Sequence, residues 1–327
     1  MYKILITDYQ WPSIDIEREI LGALPAELLV AETGAEQELL GMAPQADAIL
    51  TCWQLVSEAV IDAAPKCRII TRYGVGLDNI AVAHATRLGI PVTNAPTYCL
   101  EEVAEHALAL LLALARRITR FDRALRAEDY AGVAFHGMRR ISGKTMGLLG
   151  YGNIGRTLAG KARGLGMNVI VHDPQYSELP PQEGRAVDFP TLLAEADMLS
   201  VHVPLTDGTR GLLGAQALAR MKPGALLVNT SRGPVVDVDA LLAALQEERL
   251  AGAALDVYPV EPPQLSHPIF QHPHFIGTPH ASFYSEESVE NLQRICAGQV
   301  YECLSGGTPD NIVNPDYRNH SPRFQRG

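Results

Sequence analysis

Between residues 144 and 278, six short apolar runs recur at intervals of about 25 residues, with helically spaced segments between them. They cover residues 145–149, 168–172, 198–203, 225–229, 253–257 and 275–278. Each is nearly continuous in apolar residues rather than alternating, as expected of strands covered on both faces. Strand and helix in strict succession predict βαβ units, a parallel sheet and a doubly wound α/β domain. The first third repeats the theme: residues 3–7, 48–51, 68–73 and 91–94 read as strands, and 56–64 as a helix between two of them. At 327 residues the chain has room for about two such domains.

One further segment stands out between the two series. After a breakpoint at Ala95-Pro96-Thr97, residues 101–126 read as a single long helix. Glu101, Glu102 and Glu105 lie in its first turns, and Arg116, Arg117, Arg120, Arg123 and Arg126 in its second half, which complements the helix dipole. Its middle is apolar almost all round, so it is expected to be buried on more than one side, at a domain boundary or a subunit interface. Residues 286–304 read as a closing helix.

Composition narrows the function. A net charge of −10 with no basic tail argues against non-specific nucleic-acid binding, which needs Lys and Arg to displace counterions. A polybasic membrane-surface patch is absent from the sequence. The longest apolar run in the helical middle, residues 107–115, is too short to span a bilayer, and the N-terminus shows no signal-peptide pattern. Cys52, Cys67, Cys99, Cys296 and Cys303 are odd in number and scattered, so free thiols in a reducing compartment, the cytoplasm, are expected. His267, His272 and His274 crowd a Pro-rich loop without cysteine or acidic neighbours, so no metal is expected.

The sharpest motif is Gly150-Tyr151-Gly152-Asn153-Ile154-Gly155, which directly follows the strand at 145–149 and opens a helical segment. Gly150 suits the tight turn, Gly152 lets a pyrophosphate approach the backbone, and Gly155 lets helix and strand pack closely. Asn153 and Ile154 place the first helical N–H groups against the phosphates. Asp173 ends the next strand, 18 residues past Gly155, where a carboxylate meets the adenosine ribose and repels a 2′-phosphate. The motif therefore predicts a Rossmann-like domain that takes NAD in preference to NADP.

Other polar residues collect at the carboxyl ends of the remaining strands, which line the ligand crevice in such sheets. His202 is either a crevice residue or a satisfied core histidine. Val203 and Pro204 follow it, with Thr209 just beyond, and are expected to border the cofactor. Asn229-Thr230-Ser231-Arg232-Gly233 puts Thr230 and Ser231 beside the cofactor. It also puts Arg232 where a guanidinium fork suits a carboxylate, although a surface arginine would read the same way. Asp256, Glu261 and His280 follow at later strand ends. A His backed by a Glu makes a general acid/base pair. In the first half, Tyr73-Gly74-Val75-Gly76-Leu77-Asp78-Asn79 is either a backbone cradle for a small anion or a plain tight turn.

Together Arg72-Tyr73-Gly74-Val75-Gly76-Leu77-Asp78-Asn79, Val103-Ala104-Glu105-His106, the glycine motif, Thr230-Ser231-Arg232-Gly233, residues 256–262 and Thr278-Pro279-His280 carry a resemblance over nearly the whole chain. The chain resembles the D-isomer-specific 2-hydroxyacid dehydrogenases, a family that includes phosphoglycerate dehydrogenases and the C-terminal binding proteins. The resemblance implies two Rossmann-like α/β domains. The substrate-binding domain, 1–99 completed by 285–327, is interrupted by a dinucleotide-binding domain, 100–284, with the substrate in the cleft. It further implies that Arg232 binds the substrate carboxylate and carbonyl, that His280 carries the proton with Glu261 as its partner, and that Asp256 holds the nicotinamide amide. Backbone groups of Val75 and Gly76 would bind the carboxylate, and a homodimer would form through the 101–126 helix. The segments 96–102 and 279–286 look most like the C-terminal binding protein branch, which typically has Trp where this chain has Phe283. The chain is expected to lack the C-terminal regulatory domain of the longer phosphoglycerate dehydrogenases. The expected activity is NAD-dependent interconversion of a small D-2-hydroxy acid and its 2-keto acid. A non-enzymatic, corepressor-like NAD(H) sensor on the same fold is the alternative.

Overall fold

The computed structural model describes residues 1–130, 138–321 and 323. The chain divides into two compact units, Met1–Cys99 with Ser285–Gly327, and Leu100–Tyr284.

The first unit is built on a parallel sheet of β1 (Tyr2–Ile6), β2 (Ala26–Val30), β3 (Ala48–Thr51), β4 (Ile70–Arg72) and β5 (Val92–Thr93). Its strand order is β2-β1-β3-β4-β5. Short helices α1 (Asp15–Leu21), α2 (Glu36–Met42), α3 (Glu58–Asp62) and α4 (Val82–Arg87) connect the strands. Strand β3 is buried along its whole length, as its unbroken apolar run demands. Sequence patterning passes over β2, an edge strand whose residues are mostly half-exposed or exposed and whose apolar run is short and follows Glu27.

The carboxyl of Glu17, on α1, lies fully buried in this unit. It accepts from Tyr73 Oη at 2.8 Å and from Gln293 Nε2 at 2.8 Å, so it ties three separate segments together. Burial pushes its pKa up.

The second unit begins with α5 (Leu100–Ala115) and α6 (Ile118–Arg126). The expected single helix over 101–126 is thus two. Arg117 adopts a left-handed conformation, φ 53°, and ends one helix before the next begins. Arginine is a good helix former, so neither residue type nor charge pattern marks the break. Ala104, Ala107, Leu110, Leu111 and Leu114 of α5 pack into an apolar cluster of this unit.

The sheet of this unit comprises β6 (Thr145–Leu149), β7 (Asn168–His172), β8 (Arg185–Ala186), β9 (Met198–Val201), β10 (Ala225–Asn229), β11 (Leu250–Leu255) and β12 (Phe275–Gly277). All seven strands are parallel, in the order β12-β11-β10-β9-β6-β7-β8. Helices α7 (Asn153–Gly164), α8 (Phe189–Glu195), α9 (Ala215–Arg220) and α10 (Val238–Gln246) complete the connections, and α11 (Glu286–Leu304) returns the chain to the first unit. Along β10, Ala225 and Leu227 join one apolar cluster while Leu226 and Val228 join the other. This alternation into two cores is why the strands read as unbroken apolar runs.

Several strands end earlier than their apolar runs. Residues 198–203 narrow to β9, 275–278 to β12 and 68–73 to β4, while 253–257 shifts back to β11. Just past three of these ends, after β9, β11 and β12, stand the polar residues His202, Asp256 and Thr278.

Candidate active site

The glycine turn follows β6 and leads into α7, and each glycine has a distinct physical reason. Gly150 sits at φ +98°, and a Cβ there would lie 2.7 Å from the His202 carbonyl oxygen. A Cβ on Gly155 would lie 2.5 Å from the Gly150 carbonyl oxygen, so helix and strand meet at van der Waals limits. A Cβ on Gly152 would meet nothing within 4 Å, which leaves open space above the turn. Gly152 caps α7 without a side-chain hydrogen bond, and Asn153 and Ile154 follow as the first helical residues. An uncapped helix N-terminus under an open glycine is the cradle that a pyrophosphate requires.

Asp173 closes β7 and faces this turn. Its Oδ2 accepts from the Tyr151 backbone N–H at 2.8 Å and its Oδ1 from that of Gln175 at 2.9 Å. One carboxylate thus anchors the turn and stands at its rim. Beside it lies a surface pocket of about 330 Å³ lined by His172, Asp173, Pro174, Tyr176 and Val187, among others.

The end of β9 carries His202, whose Nε2 lies 2.9 Å from Ser200 Oγ. Desolvation pushes its pKa down to about 4, so the ring is neutral at physiological pH. Val203 is half-buried against the core, Pro204 is exposed, and the Thr209 hydroxyl donates to the Pro204 carbonyl at 2.6 Å, closing this loop.

At the end of β10, Asn229 organises the next loop. Its Oδ1 accepts from both the N–H and the hydroxyl of Ser231, and its amide donates to the Arg232 carbonyl. Thr230 is buried, and its Oγ1 has no hydrogen-bond partner among the described residues. A buried orphan hydroxyl is costly unless a ligand completes it. With the open cradle at Gly152, it fits a bound dinucleotide. Arg232 donates from Nη1 to the Ser231 carbonyl at 2.7 Å. Gly233 then brings this loop against the next one: a Cβ there would fall 1.9 Å from the Tyr258 carbonyl carbon.

That contact brings the Arg232 charge to bear on Glu261, which His280 also holds. Nδ1 of His280 lies 2.7 Å from Glu261 Oε2, and Glu261 Oε1 accepts from the Tyr258 N–H at 2.9 Å. Burial pushes the Glu261 carboxyl up. The His280 hydrogen bond and charge, the Tyr258 N–H and the Arg232 charge outweigh it, and the net shift is downward. His280 itself has a left-handed backbone, φ 53°, just past β12, and its N–H donates to the Asp256 carbonyl at 2.8 Å.

Asp256 is wholly buried. Its carboxylate accepts from Thr278 Oγ1 at 2.6 Å and from the N–H groups of Ala281 and Ser282 at 3.0 and 2.9 Å. Desolvation raises its pKa, but the Thr278 and Ser282 donors and the loop N–H groups leave it below the usual carboxylate range. Asn229, Tyr258, Thr278 and His106 all lie in segments that the sequence analysis quotes, but the sequence assigned none of them a role of its own. For Asn229 the local signal was an Asx residue two positions before Ser231 at a strand end.

In the first unit, the loop after β4 is shaped by Gly74, at φ +142°, whose carbonyl accepts from the Ala95 N–H. Val75 is 40% exposed and its carbonyl accepts from Asn94 Nδ2 at 2.7 Å. Asn79 pins the far side of the loop through the Cys52 and Gln54 carbonyls and accepts from Arg72 Nε. Gly76 sits half-buried beside Val75.

A doubly wound sheet with a dinucleotide cradle and a Glu-backed histidine at its carboxyl edge defines a nicotinamide-dependent oxidoreductase. Residues 108–282 match the family model of the D-isomer specific 2-hydroxyacid dehydrogenase, NAD binding domain. A glyoxylate reductase of Thermococcus litoralis is 39% identical over 293 residues, covering 87% of this chain and 88% of the relative. A D-3-phosphoglycerate dehydrogenase of Archaeoglobus fulgidus is 40% identical over 283 residues, covering 86% of this chain but only 54% of the relative, so the chain spans about half its length. Among solved structures, a D-lactate dehydrogenase from Aquifex aeolicus complexed with NAD and lactic acid superposes with a TM-score of 0.86 at 26% identity, covering 95% of this chain and 99% of that one. The chain belongs to the D-isomer specific 2-hydroxyacid dehydrogenase family. It is an oxidoreductase that interconverts 2-hydroxy acids and 2-keto acids with a nicotinamide cofactor.

Proposed function

We propose that this enzyme prefers NAD over NADP and acts on a small 2-keto acid of the glyoxylate type and the matching D-2-hydroxy acid. The observation that carries the reading is the 2.7 Å pair of His280 and Glu261 with the Arg232 charge beside it. An NAD(H)-sensing binding protein needs no such set. The similarity of this chain to glyoxylate reductases, at 39% identity, supports the small-substrate reading.

The cofactor, when bound, supplies or takes the hydride. Gly150, Gly152, Asn153, Ile154 and Gly155 would hold its pyrophosphate, and Asp173 its adenosine ribose. Val203, Pro204, Thr209, Thr230, Ser231 and Asp256 would line the rest of its site. His280 delivers the proton in reduction. Glu261 occupies Nδ1, so Nε2 is the nitrogen that exchanges a proton with the substrate oxygen. In oxidation the same nitrogen accepts the hydroxyl proton. Arg232 binds the carboxylate and offsets charge that develops on the reacting oxygen. The first unit would be the substrate-binding domain, with Val75 and Gly76 offering backbone N–H groups to an anion.

We further propose a homodimer in the cytoplasm that binds neither nucleic acid nor membrane. All five cysteines are free thiols, and among the described residues no helix is long and apolar enough to cross a membrane. The test of function is a panel of 2-keto acids assayed by NADH consumption. Turnover of small unbranched keto acids supports the reading, and no turnover of any 2-keto acid overturns it.

A further inference from the structure

The loop that carries His280 is held by a chain of hydrogen bonds that begins on another element. His106 lies on α5, and its Nε2 is 3.0 Å from Thr278 Oγ1. The Thr278 hydroxyl has one proton, which it donates to Asp256 Oδ1 at 2.6 Å. Its oxygen therefore accepts from His106, whose Nε2 carries a proton. Nε2 is also 3.7 Å from Asp256 Oδ1, so the ring faces the buried carboxylate across the hydroxyl.

Asp256 in turn grips the loop on both sides of His280. It takes Thr278 before it and the Ala281 and Ser282 N–H groups after it, and its main-chain carbonyl takes the His280 N–H. A non-glycine residue at φ 53° is a strained choice that persists only when its surroundings over-determine it. The grip of Asp256 supplies that constraint, and the orientation of its carboxylate depends on the Thr278 hydroxyl that His106 holds.

We propose that His106 and Thr278 are positioning residues that set the His280 loop through Asp256. The inference rests on the reading of His280 as the proton carrier. Outer hydrogen-bond partners that orient metal-ligating residues are worth roughly 10–100-fold in affinity or activity; a proton carrier held in one orientation depends on its outer partners in the same way, because a misplaced reacting group loses rate.

The test uses the full-length enzyme. His106→Leu and Thr278→Val should each lower kcat by about tenfold while KM for the keto acid changes less than twofold. His106→Gln, whose Nε2 still offers an N–H at a similar reach, should recover most of the rate, and Thr278→Ser likewise. The His106→Leu/Thr278→Val double variant should be no worse than Thr278→Val alone, because both break one chain. Independently of turnover, ring-nitrogen NMR should show His106 protonated at Nε2 in the unmodified protein, with that state lost in Thr278→Val. An unchanged kcat in His106→Leu, a Gln variant as poor as Leu, or additive losses would overturn the proposal. If no keto acid is turned over, the functional reading falls, and the NMR result alone decides the hydrogen-bond chain. A ring protonated at Nδ1 would sink it.

Discussion

At the scale of a single residue, the proposed proton chemistry turns on Glu261. Its carboxyl is held below the ordinary range by His280, the Tyr258 N–H and Arg232 against the opposing effect of burial, so it is ionised throughout the neutral range. A fixed negative charge at Nδ1 favours imidazolium. Replacing it with a neutral amide favours imidazole, so in Glu261→Gln the limb where keto-acid reduction declines should move to lower pH. Profiles of kcat/KM against pH that coincide for the two proteins would break the assigned pairing. His280→Ala should cut kcat by about 10²–10⁴-fold, the share of a positioned acid. Arg232→Lys should rescue little of the loss seen in Arg232→Ala, because an ammonium does not replace a planar fork. At the cofactor end, Asp173 should give NAD at least ~10-fold preference over NADP in kcat/KM. Asp173→Ala should shrink it, and because Asp173 also anchors the Tyr151 N–H, KM for NADH should rise as well. Equal use of NADH and NADPH by the unmodified enzyme would contradict this assignment. Arg232, His280 and Asp173 were singled out in the sequence because each lies at or just past the end of an apolar run, and Glu261 because it follows Asp256 in the next loop. The bonding of Thr278, Tyr258 and His106 to one another's neighbours was not legible, since those hydrogen bonds exist only once the chain folds.

The meeting of loops from different strands is a property of elements. Gly233 lets the loop after β10 touch the backbone after β11, and no side chain fits there, since a Cβ would overlap Tyr258 at 1.9 Å. Gly233→Ala should force the loops apart, with overpacking of about 1–3 kcal/mol. At about 2–4 °C per kcal/mol for a domain of this size, Tm should fall by several degrees. Because Arg232 is the adjacent residue, kcat/KM should fall more than the loss of folded protein explains. A variant with unchanged Tm and kcat/KM would show that the loops tolerate separation. The same scale holds the one clear misreading of the sequence, the helix over 101–126. Its charge gradient belongs to α5 and α6 together, and only the left-handed Arg117 divides them.

For the whole molecule, assembly is the open prediction. Ala104, Ala107, Leu110, Leu111 and Leu114 of α5 already pack into the apolar cluster of their own unit, so a partner would have to cover other parts of the α5–α6 segment. Ile118 and Leu125 of α6 are 56% and 58% exposed, and part of the α5–α6 segment is thus apolar and open to water. A two-fold dimer would cover it. Light scattering at micromolar concentration should return twice the 35.4 kDa chain mass, and a value near one chain would refute the dimer. Local pattern in the sequence was enough to determine the parallel α/β architecture, the glycine cradle and the strand-end polar residues, because strand burial and turn geometry leave their mark within a few consecutive residues. Edge strands β2 and β8, the break at Arg117, the buried Glu17 and the chain from His106 through Thr278 to Asp256 were decided only by the tertiary structure. Each depends on residues far apart in the chain, or on a backbone angle that no residue type announces, and their energies exist only once those groups are brought out of water together.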